Sequence, residues 1–215
     1  VATSFLHGVY LLLDEQWSSQ VSLIKVVEIA ARCGVRIFQY RNKTDSILDC
    51  YQKGMPLRKA TADVDATFIV NDRCDLAFAL EADGVHLGQD AFPFDAARQI
   101  LGEKKIIGVS THRPEEVEAA TKEGADYIGF GPIFSTRTKA DHEPVVGITG
   151  LGLVRSLTTL PIFAIGGITL DSVPAIQQAG GNGVAVASVV YNSVNIEETL
   201  RGLVKHFAQE SSSVE

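Results

Sequence analysis

Gly8–Leu13, GVYLLL, is a short and nearly continuous apolar run, and ten residues later Ser18–Gly34 changes to helical spacing. Six residues without polar alternation predict a strand covered on both faces. In the second stretch Val21, Ile24, Val27 and Ala31 fall on one stripe, and Gly34 is a stop signal. The pair reads as one βα unit. Working outward, the same pairing recurs along the chain. Strands are expected at Val35–Tyr40, Thr67–Val70, Val85–Leu87, Lys105–Val109, Asp126–Phe130, Pro161–Ile165 and Gly183–Val186.

Helical stretches lie between them. Ser46–Ala62 is helical with a break or kink expected at Gly54 and Pro56. A short helix passes through Leu76 and Leu80, and others cover Pro93–Leu101 and Gly150–Leu157. Pro114-Glu115-Glu116 suits a first helical turn, where a missing N–H is harmless and carboxylates favour the helix dipole. Asp171 or Ser172 is the expected cap of the helix carrying Pro174, and Ile196–Gln209 is a final amphipathic helix before the polar tail Glu210–Glu215. Eight short buried strands alternating with eight helices require a parallel sheet, and that number predicts closure into a single-domain (β/α)₈ TIM barrel over residues 1–215. Ala82–Val85, Gly124–Tyr127 and Gly181–Val184 resemble one another, and they read as helix-to-strand turns rather than as a repeat family.

Composition narrows the partners. Hydrophobic residues are 46% and charged residues 21% of 215, the balance of a globular chain. A formal net charge of −7 argues against nucleic acid, whose backbone demands a basic face. No apolar run is long enough to span a membrane. Cys33, Cys50 and Cys74 are odd in number and lack a CxxC, so neither a disulfide framework nor a zinc site is expected. Val1–His7 shows no secretory signal, and the reading is a cytoplasmic protein, with a homo-oligomer left open.

In a TIM barrel the site lies at the C-terminal strand ends. Those ends carry Gln39, Arg41 and Lys43; Asn71 and Asp72; Gln89 and Asp90; Ser110; Thr136, Thr138 and Lys139; Gly166-Gly167; and Ala187-Ser188. Two groups separate by chemistry. Arg41, Lys43 and Lys139 are cations suited to a highly charged anion, with Asp72 and Asp90 able to hold a bridging Mg²⁺. Thr136, Thr138, Gly167 and Ser188 offer hydroxyls and backbone N–H groups where barrels commonly bind a monophosphate. His86 reads as a packed core histidine.

The motifs Gln39–Lys43, Val70-Asn71-Asp72, His86–Gln89, Gly108-Val109-Ser110, Gly129–Lys139 and Ile165–Ile168, in this order and spacing, resemble the thiamine-phosphate synthase family. The GPIF-x-T-x-TK run at Gly131–Lys139 is the most diagnostic of them. The resemblance implies a Mg²⁺-dependent transferase that joins a hydroxymethylpyrimidine diphosphate to a thiazole phosphate. It implies that Gln39, Tyr40, Arg41, Asn42, Lys43, Asn71, Ser110 and Lys139 hold the pyrimidine diphosphate, with Arg41, Lys43, Ser110 and Lys139 catalytic. Thr136, Arg137, Thr138, Gly167, Ala187 and Ser188 would hold the thiazole phosphate, and Asp72 the metal. Family members usually carry a second acidic ligand one residue beyond Asp90, where this chain has Ala91. A thiazole tautomerase shares the fold but uses a histidine where this chain has Pro132. A non-catalytic ligand-binding paralogue is the remaining alternative.

Overall fold

The computed structural model describes residues 5–136 and 144–207. Eight strands form a closed barrel in chain order: β1 Gly8–Asp14, β2 Ile37–Arg41, β3 Thr67–Asn71, β4 Gly84–Leu87, β5 Ile106–Thr111, β6 Tyr127–Phe130, β7 Ile162–Ile165 and β8 Gly183–Val186. Every neighbouring pair is parallel, and β8 closes the ring by pairing Gly183 with Gly8 and Val186 with Leu11. The expected TIM barrel is the fold observed.

Side chains alternate between the two faces of a strand, and this period divides the core in two. Val9, Leu11 and Leu13 of β1, Phe38 and Tyr40 of β2, and Phe68 and Val70 of β3 point outward into one layer under the helices. Tyr10, Ile37, Ile69, Ile106, Tyr127, Phe163 and Ala185 point inward and fill the barrel itself. The large inward rings need room, and strand glycines supply it. A Cβ at Gly108 would lie 2.1 Å from the ring of Tyr127, and one at Gly183 would lie 2.5 Å from that of Phe163.

The helices cover the outer layer. They are α1 Leu23–Arg32, α2 Ile47–Ala62, α3 Cys74–Ala79, α4 Phe94–Leu101, α5 Pro114–Glu123, α6 Gly147–Arg155, α7 Val173–Gln178, α8 Ser188–Tyr191 and α9 Ile196–Phe207. In α1 the buried stripe is Leu23, Val26, Val27, Ala30 and Ala31, the i, i+3, i+4, i+7 pattern of an amphipathic helix. Ile24, expected on that stripe, is exposed, because the helix begins five residues later than Ser18 and its phase is set by Leu23. No break interrupts α2 at Gly54 or Pro56. Gly54 instead permits close packing, since a Cβ there would meet Leu80 at 2.6 Å and Tyr40 at 3.2 Å. Before α7, Thr169 rather than Asp171 forms a capping box with Ser172. The four-residue α8, directly after β8, had no signal in the apolar pattern.

The lower, N-terminal rim uses one device three times. Asp83 Oδ2 accepts from the Phe68 N–H at 2.8 Å and pairs with Arg58. Asp126 Oδ2 accepts from the Ile107 N–H at 2.8 Å and pairs with Arg98. Asn182 Oδ1 accepts from the Ile162 N–H at 2.9 Å and from Arg155 at 3.0 Å. The three similar turns in the sequence are therefore clamps. Each ties the start of a strand to the turn before its neighbour.

Candidate active site

The inward side chains, followed upward, become polar at the C-terminal rim. Tyr10 and Leu12 lead to Asp14, Ile37 and Gln39 to Arg41, Ile69 to Asn71, and Ile106 and Gly108 to Ser110. The strand period that fills the barrel with apolar groups thus aims these four at its mouth. Register does the rest: Asp14 lies beside Arg41 in the β1–β2 ladder, and the Arg41 guanidinium pairs with the Asp14 carboxylate. Arg41 retains 16% side-chain exposure and Asp14 6%, so the pair is mostly desolvated and the guanidinium is held in one place. Gln16 also donates to Asp14, from its backbone N–H at 3.1 Å and its amide at 2.9 Å.

One strand further, Lys43 Nζ stands 3.1 Å from Asp72 Oδ2. Asp72 also accepts from the Gly88 N–H at 2.8 Å and the Asn71 amide at 2.7 Å. Burial works against its charge, but the Gly88 N–H and the Lys43 ammonium outweigh burial and hold its carboxyl below the usual carboxylate range. Asp72 adopts a φ of 59°, a left-handed conformation uncommon outside glycine, which turns the chain at the end of β3.

On the other side of the mouth Thr136, Gly166, Gly167, Ala187 and Ser188 line one pocket together with Arg41. Gly167 has φ 64°, and a Cβ there would lie 2.6 Å from the Ser135 carbonyl oxygen, so the turn after β7 packs against the loop after β6 too tightly for any side chain. Ile133 and Phe134 donate to Ile165 and Gly166 at 2.8 and 3.0 Å, which fixes that contact. The Gly131-Pro132 peptide is cis. Among the described residues no backbone carbonyl accepts from the N–H of Gly167 or Ser188. Among the described residues this wall offers backbone and hydroxyl groups from Thr136, Gly167 and Ser188.

Two further residues called from the sequence lie elsewhere. Tyr40 has outward parity: its ring stacks near Phe68, and its hydroxyl donates to the Cys50 carbonyl in α2 at 3.2 Å. Its side chain is core, and burial pushes the phenol up to about 12. Asn42 holds its own loop, donating to Asp45 at 2.7 Å and accepting from the Thr44 and Asp45 N–H groups. Arg137, Thr138 and Lys139 lie outside the described residues.

Asp90 is exposed on the turn after β4, and Ala91 packs against the outer hydrophobic layer. Among the described residues no group of three or more His, Cys, Asp or Glu side chains is arranged to hold a metal. Asp72 is one charged carboxylate at the mouth, paired with Lys43, and Mg²⁺ is an ion that takes one or two protein carboxylates and completes its shell with water and phosphate oxygens.

The sequence matches the family profile described as thiamine monophosphate synthase over residues 9–190. The chain belongs to this family. A thiamine-phosphate synthase of Pelotomaculum thermopropionicum is 39% identical over 195 residues, covering 91% of this chain and 89% of the relative. One from Natronomonas pharaonis is 41% identical over 199 residues, covering 91% and 92%. A solved thiamine phosphate pyrophosphorylase of Pyrococcus furiosus superposes with a TM-score of 0.84 at 32% identity, covering 94% of this chain and 96% of that one.

Within this family member two mouth residues escaped the sequence reading. Asp14 closes β1 one residue beyond the apolar run Gly8–Leu13, so hydropathy alone does not place it in the strand. A polar residue directly after a buried run is the same signal that marked Arg41 and Asn71. His86 is buried as expected, yet it is polar in function: its Nε2 lies 2.9 Å from Ser110 Oγ. His112 also lines the pocket of the wall formed by Gly167 and Ser188. The three cysteines are buried and unbonded to one another. No described helix is long and apolar enough to cross a membrane.

Proposed function

We propose that this chain is a cytoplasmic transferase that couples hydroxymethylpyrimidine diphosphate to hydroxyethylthiazole phosphate, giving thiamine phosphate and diphosphate. The observation that carries the reading is the convergence on one rim of Arg41, Lys43, Asn71 and Ser110, with Arg41 also bordering the wall formed by Gly167 and Ser188. A family member with a charged side and a backbone-lined side at one mouth has a place for a diphosphate and a place for a monophosphate.

The chemistry is dissociative. The C–O bond to diphosphate breaks with both electrons leaving on oxygen, and the pyrimidine methylene cation is captured by the thiazole nitrogen lone pair. No nucleophilic side chain and no general base are required. Stabilising the departing charge is the main task, so Arg41 and Lys43, with Lys139 following from the family pattern, carry the rate. Each tenfold corresponds to about 1.4 kcal/mol of barrier. Asp14 keeps Arg41 in place before substrate arrives, and the preorganised guanidinium needs no reorganisation as charge develops. Asp72, with Asp90 as the second candidate, would hold Mg²⁺, which supplies further neutralisation of the diphosphate. The thiazole phosphate would rest on Thr136, Gly167, Ala187 and Ser188, with Arg137 and Thr138 following from the family pattern. Gln39 orients the pyrimidine end from below.

The test is direct. Purified protein with both substrates and Mg²⁺ should release diphosphate and form thiamine phosphate in equal amounts. Isomerisation of the thiazole alone, or binding with no turnover of either substrate, would overturn the proposal.

A further inference from the structure

A chain of four hydrogen bonds crosses the barrel interior beneath the mouth. Gln39 Nε2 donates to the Tyr10 hydroxyl at 2.7 Å. The Tyr10 and Tyr127 hydroxyls are 2.9 Å apart, and Tyr127 lies 3.0 Å from His86 Nδ1. His86 Nε2 then reaches Ser110 Oγ at 2.9 Å. Five side chains from β2, β1, β6, β4 and β5 are joined, and all but Ser110 are buried.

The members have little freedom to turn. His86 and Tyr127 stack with centroids 5.4 Å apart, and Tyr10 meets Tyr127 edge-on at 5.8 Å. Gly129 faces the imidazole so closely that a Cβ would lie 3.1 Å from its Cε1. Burial raises both phenols well above their ordinary range, so each stays neutral and keeps one proton to donate.

One proton per hydroxyl gives the chain a direction. The Tyr10 oxygen accepts from Gln39, so its own proton goes to Tyr127. The Tyr127 proton then goes to His86 Nδ1, and a neutral imidazole must carry its hydrogen on Nε2, where it donates to Ser110. The serine proton is thereby left to point away from the barrel interior. The opposite polarity would turn that proton inward onto His86 and present only lone pairs to the mouth. An anion requires the first arrangement.

We propose that Tyr10, Tyr127 and His86 act as positioning residues, a relay that fixes the Ser110 hydroxyl as a hydrogen-bond donor toward the mouth. The proposal deepens the functional reading above and rests on it for the role of Ser110. Its polarity, however, is a property of the ligand-free protein and is measured separately. In the ¹⁵N-histidine-labelled full chain, long-range ¹H–¹⁵N correlation should show His86 as the neutral Nε2–H tautomer, its signal assigned by its loss in His86→Asn. An Nδ1–H tautomer or an imidazolium in the wild type would overturn the relay, and this measurement depends on no variant folding.

The kinetic arm is a double-mutant cycle. Tyr127→Phe should lower kcat about 10- to 100-fold, the scale of a small misplacement of a reacting group, with KM for the thiazole phosphate unchanged within about threefold. In a Ser110→Ala background the same change should add nothing, because its effect runs through that hydroxyl. Additive losses, or an unchanged kcat in the single variant, would refute the relay. Should Tyr127→Phe not fold, Tyr10→Phe enters the same cycle with the same expectation of non-additivity. A chain with Nε2–H His86 that turned over neither substrate would sink the functional reading and leave the polarity standing. An active enzyme with Nδ1–H His86 would do the reverse.

Discussion

The two rims of this barrel use the same kinds of residue for different ends. At the lower rim Asp83, Asp126 and Asn182 each meet a strand N–H and an arginine, so their hydrogen-bonding capacity is turned on the backbone. At the upper rim Asp14 and Asp72 hold cations, Arg41 and Lys43, that border open pockets. An acid–base pair is therefore no marker of function by itself. Backbone donors complete the acids at both rims, Gln16 N–H on Asp14 and Gly88 N–H on Asp72 included, so what marks the upper rim is that the cations of its pairs border an open pocket.

Three substitutions would break or sharpen this contrast. The largest effect should come from Arg41→Lys, which keeps a charge near Asp14 but loses the guanidinium fork. We expect kcat to fall about 10²- to 10³-fold, the scale of losing a preorganised donor at a developing anion. Thermal unfolding should change little. A large fall in Tm with kcat preserved would place Arg41 among the structural clamps. Next is Asp126→Ala at the lower rim, which strips the partner from the buried Ile107 N–H and from Arg98. A loss of about 2–3 kcal/mol in urea unfolding is expected, with kcat unchanged well below the new transition. A kinetic defect without a stability loss would erase the distinction between the rims.

The smallest effect concerns acid. The Asp72 carboxyl is depressed in the folded chain, so its ion pair and hydrogen bonds stabilise the fold above the unfolded carboxylate value. That contribution disappears as pH falls through the lower folded value. Between neutrality and pH about 3 the wild type should therefore lose more stability than Asp72→Asn, by about 1 kcal/mol or less given the partial exposure of the pair. Parallel pH profiles of the urea midpoint would show that Lys43 and Gly88 do not favour the charged form.

Much of this was legible without coordinates because it depends on local pattern. Apolar runs of strand length, the switch to helical spacing, and polar residues at the ends of those runs are all properties of neighbouring residues, and they lead to the barrel and to the position of Arg41, Lys43, Asn71, Asp72 and Ser110 at its C-terminal rim. The misplacements have a common cause. Tyr40 and Asn42 sit inside the motif that carries Gln39 and Arg41, but alternate residues of a strand face opposite ways, and sequence adjacency is blind to the face. Asp14 gained its meaning from a residue 27 positions away that lies beside it in the ladder.

The amino-acid order by itself determined the eightfold βα alternation, the end of the barrel where polar groups gather, and the chemistry available there. Tertiary structure alone decided which acids clamp a strand at the closed rim and which hold a cation at the open mouth, and that a histidine in the packed interior joins Gln39 to Ser110 through two tyrosines. Closure of the barrel is the physical reason. Residues from β1, β2, β4, β5 and β6 meet only where inward side chains from a whole ring of strands share one interior.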